Sequence, residues 1–482
     1  MTLGGKQIMA NKLSLIYPAM HSDLYSSNLL YSPLALAYVA AYTPNDWEIT
    51  SYDEYVDGYV DPDRIDADLV AMSALTPNIP RAYYLADKLR QRGITAVCGG
   101  AHVSALPDEA VQFFDAVVLG EAEPIWPQLI ADFEGGNLQQ VYDGGLDRSV
   151  EDIRLPRRDL IHQNYHYPSL ITSKGCPFRC DYCYLSLYQK KKYRVLPVDA
   201  IIEDMELINR QNDSIVVFGD ENVSGYSAKD NENRVELFER MIKKRFSFVW
   251  GAQSTIDIYQ KPELLELMRA AGCRVLFVGL ETTDSDLGKQ VNKSFADRID
   301  YKEAIRVIHK HRIGVIGSYI LGLDSHDKSY VKQLPKVVKR LNIEYPRLFF
   351  LTAWPGTPLY KRLQKQGRIT KGYTQVRKDI PNIVYSHFSE EEIREAHNYI
   401  KKNFFTKPYI AKIILRWLFK DPPMVKFFLK VLSSNITPEA RRLKKKQWEK
   451  EAYMRELIEE HFRGTQLDES ETIHKELSGT YV

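Results

Sequence analysis

Short apolar runs recur along most of this chain, each ending on glycine or a polar residue and each followed by a stretch compatible with a helix. Runs of this length suit strands buried on both faces of a parallel sheet. Within residues 1–145 they are Leu13–Tyr17, Leu69–Ser73, Thr95–Cys98 ahead of Gly99-Gly100, and Ala116–Leu119 ahead of Gly120. Helical stretches at Pro33–Tyr42 and Arg81–Arg92 alternate with them. That order predicts an α/β, doubly wound Rossmann-like domain whose ligand binds beyond the carboxyl ends of its strands. A charged linker, Gly144–Arg158, follows. Residues 160–388 repeat the alternation at Leu170–Ser173, Ser214–Phe218, Phe248–Ala252, Val275–Gly279, Val315–Leu321 and Arg347–Leu351, with helices such as Val198–Asn209 and Lys261–Ala270. Six units are too few for an eight-stranded barrel, so a partial (β/α)6 barrel is expected, with its chemistry at the C-terminal rim. Residues 389–482 read as helical and basic.

The first strand of the second domain runs into Gly175-Cys176-Pro177-Phe178-Arg179-Cys180-Asp181-Tyr182-Cys183. The C-x3-C-x2-C spacing gathers three soft thiolates on one loop, where Pro177, lacking an amide hydrogen, discourages regular structure. A tetrahedral zinc site wants a fourth ligand, and zinc motifs usually come as two separated pairs. Three thiolates suit an iron–sulfur cluster that leaves one iron open to a cofactor or substrate. Cys98 and Cys273 sit far apart on apolar stretches and are expected to be buried thiols, which fits a reducing cytoplasm. With 27% charged residues and a net charge of +2 over 482 residues, the chain has no global nucleic-acid footprint. No signal pattern or membrane-length apolar run is evident.

The cysteine run resembles the signature of the radical S-adenosylmethionine (SAM) superfamily, with Tyr182 as the aromatic residue before the last cysteine. The resemblance implies that Cys176, Cys180 and Cys183 hold a [4Fe–4S] cluster whose open iron chelates SAM. Later rim segments support it: Phe218-Gly219-Asp220-Glu221-Asn222, Gln253-Ser254, Gly279-Leu280-Glu281-Thr282, Ile320-Leu321-Gly322-Leu323-Asp324 and Trp354-Pro355-Gly356-Thr357-Pro358. Tyr182, Asp220, Asn222, Gln253 and Glu281 are the implied SAM contacts, although Asp220, Asn222 and Thr282 also suit helix N-caps. The first domain resembles the cobalamin-binding domain found ahead of many radical SAM enzymes. Its matching stretches carry Ser73 and Thr76, then Gly99, Gly100, His102 and Ser104, then Gly120 and Glu121. A generic nucleotide-like domain is the other reading. The Asp-x-His-x-x-Gly motif is absent, so no cobalt-ligating histidine is assigned, and His102 is expected to touch the cofactor edge or cap a helix.

The resemblance implies a cobalamin-dependent radical SAM enzyme that methylates an unactivated carbon. One SAM would methylate cob(I)alamin, and a second would yield the radical that abstracts a substrate hydrogen. A flavodoxin or ferredoxin would supply electrons. A ring-forming relative without methyl transfer and a non-catalytic cobalamin sensor are the alternatives. A methylthiotransferase would need a second set of three cysteines, and the first domain has only Cys98. In the C-terminal region Lys412, Arg416 and Lys420 share a stripe opposite Ile410, Ile414, Trp417 and Leu418, and Lys426 and Lys430 repeat the pattern. The arrangement suits either a peripheral helix on the inner membrane face or a helix packed on the barrel with snorkelling lysines. The basic run Arg441–Lys446 adds charge. A hydrophobic substrate, a polycyclic lipid or a tetrapyrrole, is expected.

Overall fold

The computed structural model describes residues 11–19, 32–146, 148–163, 165, 167–187, 193–210, 215–282, 299–372 and 382–422, with parts of 424–462. Lys426, Lys430, Arg441–Lys446 and His21 fall outside them. The first sheet is formed by β1 (Lys12–Tyr17), β2 (Glu48–Asp53), β3 (Leu69–Ser73), β4 (Thr95–Gly99), β5 (Ala116–Leu119) and β6 (Val141–Asp143). Its order is β2-β1-β3-β4-β5-β6, and every neighbouring pair is parallel. The chain reverses its direction of winding between β1 and β3, so the crevice beyond their carboxyl ends is where such a sheet binds ligands. The edge strands β2 and β6 were not evident as apolar runs. Their outward positions are polar or exposed because each lies at a border of the sheet.

The second sheet is formed by β7 (Ser169–Leu170), β10 (Ile215–Phe218), β11 (Val249–Ser254), β12 (Cys273–Glu281), β13 (Gly314–Leu321) and β14 (Tyr345–Phe350). They lie in the order β14-β13-β12-β11-β10-β7, all parallel, which is the expected six-unit open barrel. A separate antiparallel hairpin, β8 (Ser173–Lys174) with β9 (Arg194–Val195), interrupts the expected run Leu170–Ser173 and carries the cysteine loop between its strands. Aromatic packing holds the helices on the outer face. Trp250 stacks on Phe218 with ring centroids 4.3 Å apart, and its indole N–H donates to Ala271 O at 2.9 Å. Burying a ring of this size contributes roughly 4–6 kcal/mol. Cys98 and Cys273 are buried thiols in separate cores, as expected.

The C-terminal helices complete both cores. Helix Glu390–Phe404 opens on a Ser389/Glu392 capping box, and helix Lys407–Leu418 buries Tyr409, Ile413 and Trp417 against the barrel. Lys412 and Arg416 fold back to donate to Asn342 Oδ1 and O, so these two cations pack on the barrel. Met454, Ile458 and Phe462 join the core of the first domain instead. Among the described residues no helix is long and apolar enough to cross a membrane.

Candidate functional site

The cysteine loop is built outward from a buried ionic root. Asp220, fully buried beyond β10, accepts from Thr172 N at 3.0 Å, Thr172 Oγ1 at 2.6 Å and Ser173 Oγ. Arg234, also fully buried, approaches Asp220 at 3.7 Å and donates to Thr172 Oγ1 and to Tyr193 OH. A buried charge is tolerated only when paired and hydrogen-bonded, and here the pair pins the residues that lead into the loop. At its far end, Asp181 O accepts from Leu359 N at 3.1 Å, and its carboxylate from Arg362 at 2.8 Å. Helix Pro358–Lys365, capped by Thr357 of the expected Pro-Gly-Thr-Pro segment, therefore braces the loop from the last barrel strand.

Period-two alternation runs through β10 into the segment beyond it. Val216, Phe218, Asp220 and Asn222 are buried, while Val217, Gly219 and Glu221 take the other side. Asn222 accepts from Ser224 and donates to Thr255 and Tyr226, so it organises the turn. Asp220 and Asn222 thus spend their polar atoms within the fold. Glu221, between them, lines the cavity and accepts from the Gly175 N–H. Burial, then the neighbouring Asp220 charge, pushes its carboxyl up to about 7. Extending the alternation of β10 by three residues would have singled out Glu221. Gln253 likewise lies on the exposed side of β11, between buried Ala252 and Ser254.

Glu281 ends β12 at a break in register with β13 and holds φ at 61°, a conformation a side chain rarely adopts. The surrounding contacts account for it. Thr282 N donates to Leu280 O at 2.7 Å, and Thr282 Oγ1 lies 2.9 Å from Nε2 of the buried His326. Gly322 N donates to His326 Nδ1 at 3.3 Å, so the ring proton sits on Nε2 and points at Thr282. The twist turns the Glu281 carboxylate toward the Tyr182 phenol, which donates to it. Tyr182 is raised well above the ordinary phenol range by burial, by Glu281 and by Cys180 and Cys183. Cys183 is pushed up to about 12, chiefly by burial and then by Cys180 and Cys176. Cys180, Cys176 and Glu281 all bear electrostatically on Cys183, so this carboxylate and the loop's thiols are neighbours.

The strand ends of the first domain face the root of the cysteine loop. A cavity of about 330 Å³ is bordered by Ser73, Gly99, Gly100, Gly120 and Glu121 on one side, and by Lys174, Gly175, Cys176, Arg194 and Glu221 on the other. Gly100 has φ +109°, and a Cβ there would stand 2.5 Å from Ala74 O, so only glycine lets these two loops touch. Ser104 ties the loops together, donating to Gly100 O at 2.9 Å and accepting from Gly120 N at 3.0 Å. Thr76 and His102 lie outside the cavity lining. The buried His102 ring faces Thr76 Oγ1 at 3.2 Å and Glu109 at 3.4 Å.

The Radical SAM superfamily model matches residues 170–336, and the B12 binding domain model matches residues 24–130. The chain belongs to the cobalamin-binding radical SAM enzymes. It is 27% identical over 376 residues to bacteriochlorophyllide d C-12(1)-methyltransferase of Chlorobaculum tepidum, covering 76% of this chain and 81% of that protein. It is 29% identical over 345 residues to hopanoid C-2 methylase of Rhodopseudomonas palustris, covering 70% of this chain and 65% of the methylase. Among solved structures it shares its fold with the cobalamin-dependent radical enzyme OxsB, at TM-score 0.66 and 13% identity over 90% of this chain and 74% of OxsB.

A [4Fe–4S] cluster, SAM and cobalamin are the cofactors of this cobalamin-binding radical SAM enzyme. The residues present fit them. Three cysteines on one braced loop, with Cys176 bordering the cavity, suit a cluster that leaves one iron open. Among the described residues no three His, Cys, Asp or Glu side chains close up around a single ion. A cluster instead takes each thiolate at a separate iron. Ser73 at the end of β3 and the glycine-edged loops after β4 and β5 leave the open face that a corrin needs. Besides Glu221, the features not anticipated from sequence are Arg234, Lys174 and Arg194. They occur singly in helix or hairpin positions, with no local spacing pattern to mark them.

Proposed function

We propose that the chain transfers a methyl group to an unactivated carbon of a flat, apolar polycyclic substrate, a tetrapyrrole or a polycyclic lipid. The observation that supports this reading is one cavity bordered by Cys176, by Ser73 at the end of β3 and by the loops after β4 and β5. When bound there, the cluster with SAM supplies the radical that abstracts a substrate hydrogen, and the corrin supplies the methyl group. Cys176, Cys180 and Cys183 hold the cluster. Tyr182, Glu281, Gln253 and Glu221 border SAM, with Glu221 and Glu281 facing its cationic groups, while Asp220 and Asn222 support it from behind. Ser73, Gly99, Gly100, Gly120 and Glu121 cradle the corrin, and Ser104, Thr76 and His102 stiffen that cradle. Residues 1–145 and 160–388 divide these two tasks.

The similar methyltransferase and methylase act, by name, on a bacteriochlorophyllide and a hopanoid, which supports a polycyclic substrate. A flavodoxin- or ferredoxin-type donor reduces the cluster, and the enzyme works in the cytoplasm. Leu415, Leu418 and Phe419 are exposed beside Lys420, a combination that supports peripheral contact with an anionic membrane surface. Anaerobic incubation with SAM, cobalamin, a reductant and either substrate class tests the proposal. A product heavier by one CH2 unit is expected, and a ring-closed product without that gain would overturn methyl transfer.

A further inference from the structure

The turn Gly120-Glu121-Ala122-Glu123 after β5 faces the hairpin β8–β9. In that hairpin Lys174 and Arg194 stand directly opposite each other in antiparallel register. Like charges at opposed positions push two strands apart, and each strand here is only two residues long. The hairpin therefore carries an electrostatic conflict at the root of the cysteine loop, since Lys174 directly precedes Gly175-Cys176.

The first domain supplies the counter-charges. Lys174 Nζ lies 2.5 Å from Glu123 Oε1 and 3.8 Å from Glu121 Oε2. Arg194 forks onto both oxygens of Glu121, one arm at 3.0 Å, and also donates to Arg148 O at 2.9 Å. Lys174 further lies over the Tyr38 ring of the first domain, 5.7 Å from its centroid. All four charged side chains are between 10% and 16% exposed, so water screens them little and separating the pairs is costly. Their counter-ions come from the same turn that borders the cavity beside Gly120.

We propose that Lys174 and Arg194 are positioning residues: through Glu121 and Glu123 they clamp the corrin-side turn onto the root of the cysteine loop and so set the separation of cluster and cobalt. The clamp rests on the two-cofactor reading above. It touches neither reacting atom. Because the hairpin is relaxed only when the turn is seated, the cysteine loop takes its working position only with the first domain docked.

The test uses the full chain, reconstituted anaerobically with iron, sulfide and hydroxocobalamin, as wild type, Lys174→Met, Glu123→Gln and the charge-reversed pair Lys174→Glu with Glu123→Lys. The readouts are iron content, cobalamin Kd by equilibrium dialysis, and magnetic coupling between the reduced cluster and cob(II)alamin in electron paramagnetic resonance. Each single variant should keep its iron, weaken cobalamin binding about tenfold and lose coupling strength. The reversed pair should recover both, which mere damage to the hairpin would not allow. Unchanged coupling in both single variants, or a reversed pair no better than the singles, would overturn the clamp. Wild-type protein that binds iron but no cobalamin would overturn the two-cofactor reading itself.

Discussion

Glu281 concentrates the site's strain in one residue. Its φ of 61° is maintained by Thr282, His326 and the register break, and it aims a carboxylate at Tyr182 and the cysteine loop. Glu281→Gln should keep the shape and lose the charge. We expect full iron loading and SAM affinity weakened about 10- to 100-fold, measured by calorimetry, the loss being that of a charge-assisted hydrogen bond. An unchanged affinity would remove Glu281 from the SAM site. Arg234 acts differently, since it neutralises Asp220 where no water reaches. Arg234→Met leaves that carboxylate buried and unpaired, so urea unfolding of the barrel should report a loss of about 3–5 kcal/mol. Iron incorporation should fall with it, because the anchored Thr172 and Ser173 lead directly into the loop.

At the scale of elements, short continuous apolar runs marked the interior strands well, because a strand buried on both faces has no freedom in what it carries. Leu69–Ser73 and Ala116–Leu119 are strands over those same residues. The hairpin β8–β9 was hidden, since strands of two residues leave no pattern, and β2 and β6 were hidden by their exposed sides. Among the rim residues, the cysteine spacing was readable directly, but Asp220 and Asn222 were singled out where Glu221 takes the cavity side, because the alternation of β10 runs on past its last apolar residue into a polar segment. The loops also depend on Gly100. Gly100→Ala should cost about 1–3 kcal/mol in stability and lower cobalamin affinity, as its Cβ would meet Ala74 O.

Element docking has a pH signature. Glu344, buried where the C-terminal helix meets the barrel, accepts from Trp417 Nε1 at 3.0 Å and Val315 N at 2.7 Å. Burial by itself would raise its carboxyl, but His309, then Arg416 and the Val315 N–H outweigh that and hold it below its ordinary 4.5. A depressed carboxylate stabilises the fold above its unfolded value, and that stability is lost as pH falls through the folded value. Acidification below 4.5 should therefore destabilise the wild type more steeply than Glu344→Gln, followed by thermal melts across that range. Equal slopes would contradict the assignment.

For the whole molecule, two parallel sheets present their carboxyl ends to one cavity, and the chain's last described helices reach both cores. Helix Lys407–Leu418 seals the barrel, while Met454, Ile458 and Phe462 seal the first domain, so the C-terminal region spans the pair. That arrangement suits a reaction in which a radical made at one sheet must meet a methyl group held at the other. The most direct measurement is the product stoichiometry of one anaerobic reaction containing SAM, cobalamin and a polycyclic substrate. The account predicts 5′-deoxyadenosine, S-adenosylhomocysteine and methylated product in equal amounts. Methylated product formed without 5′-deoxyadenosine would contradict it.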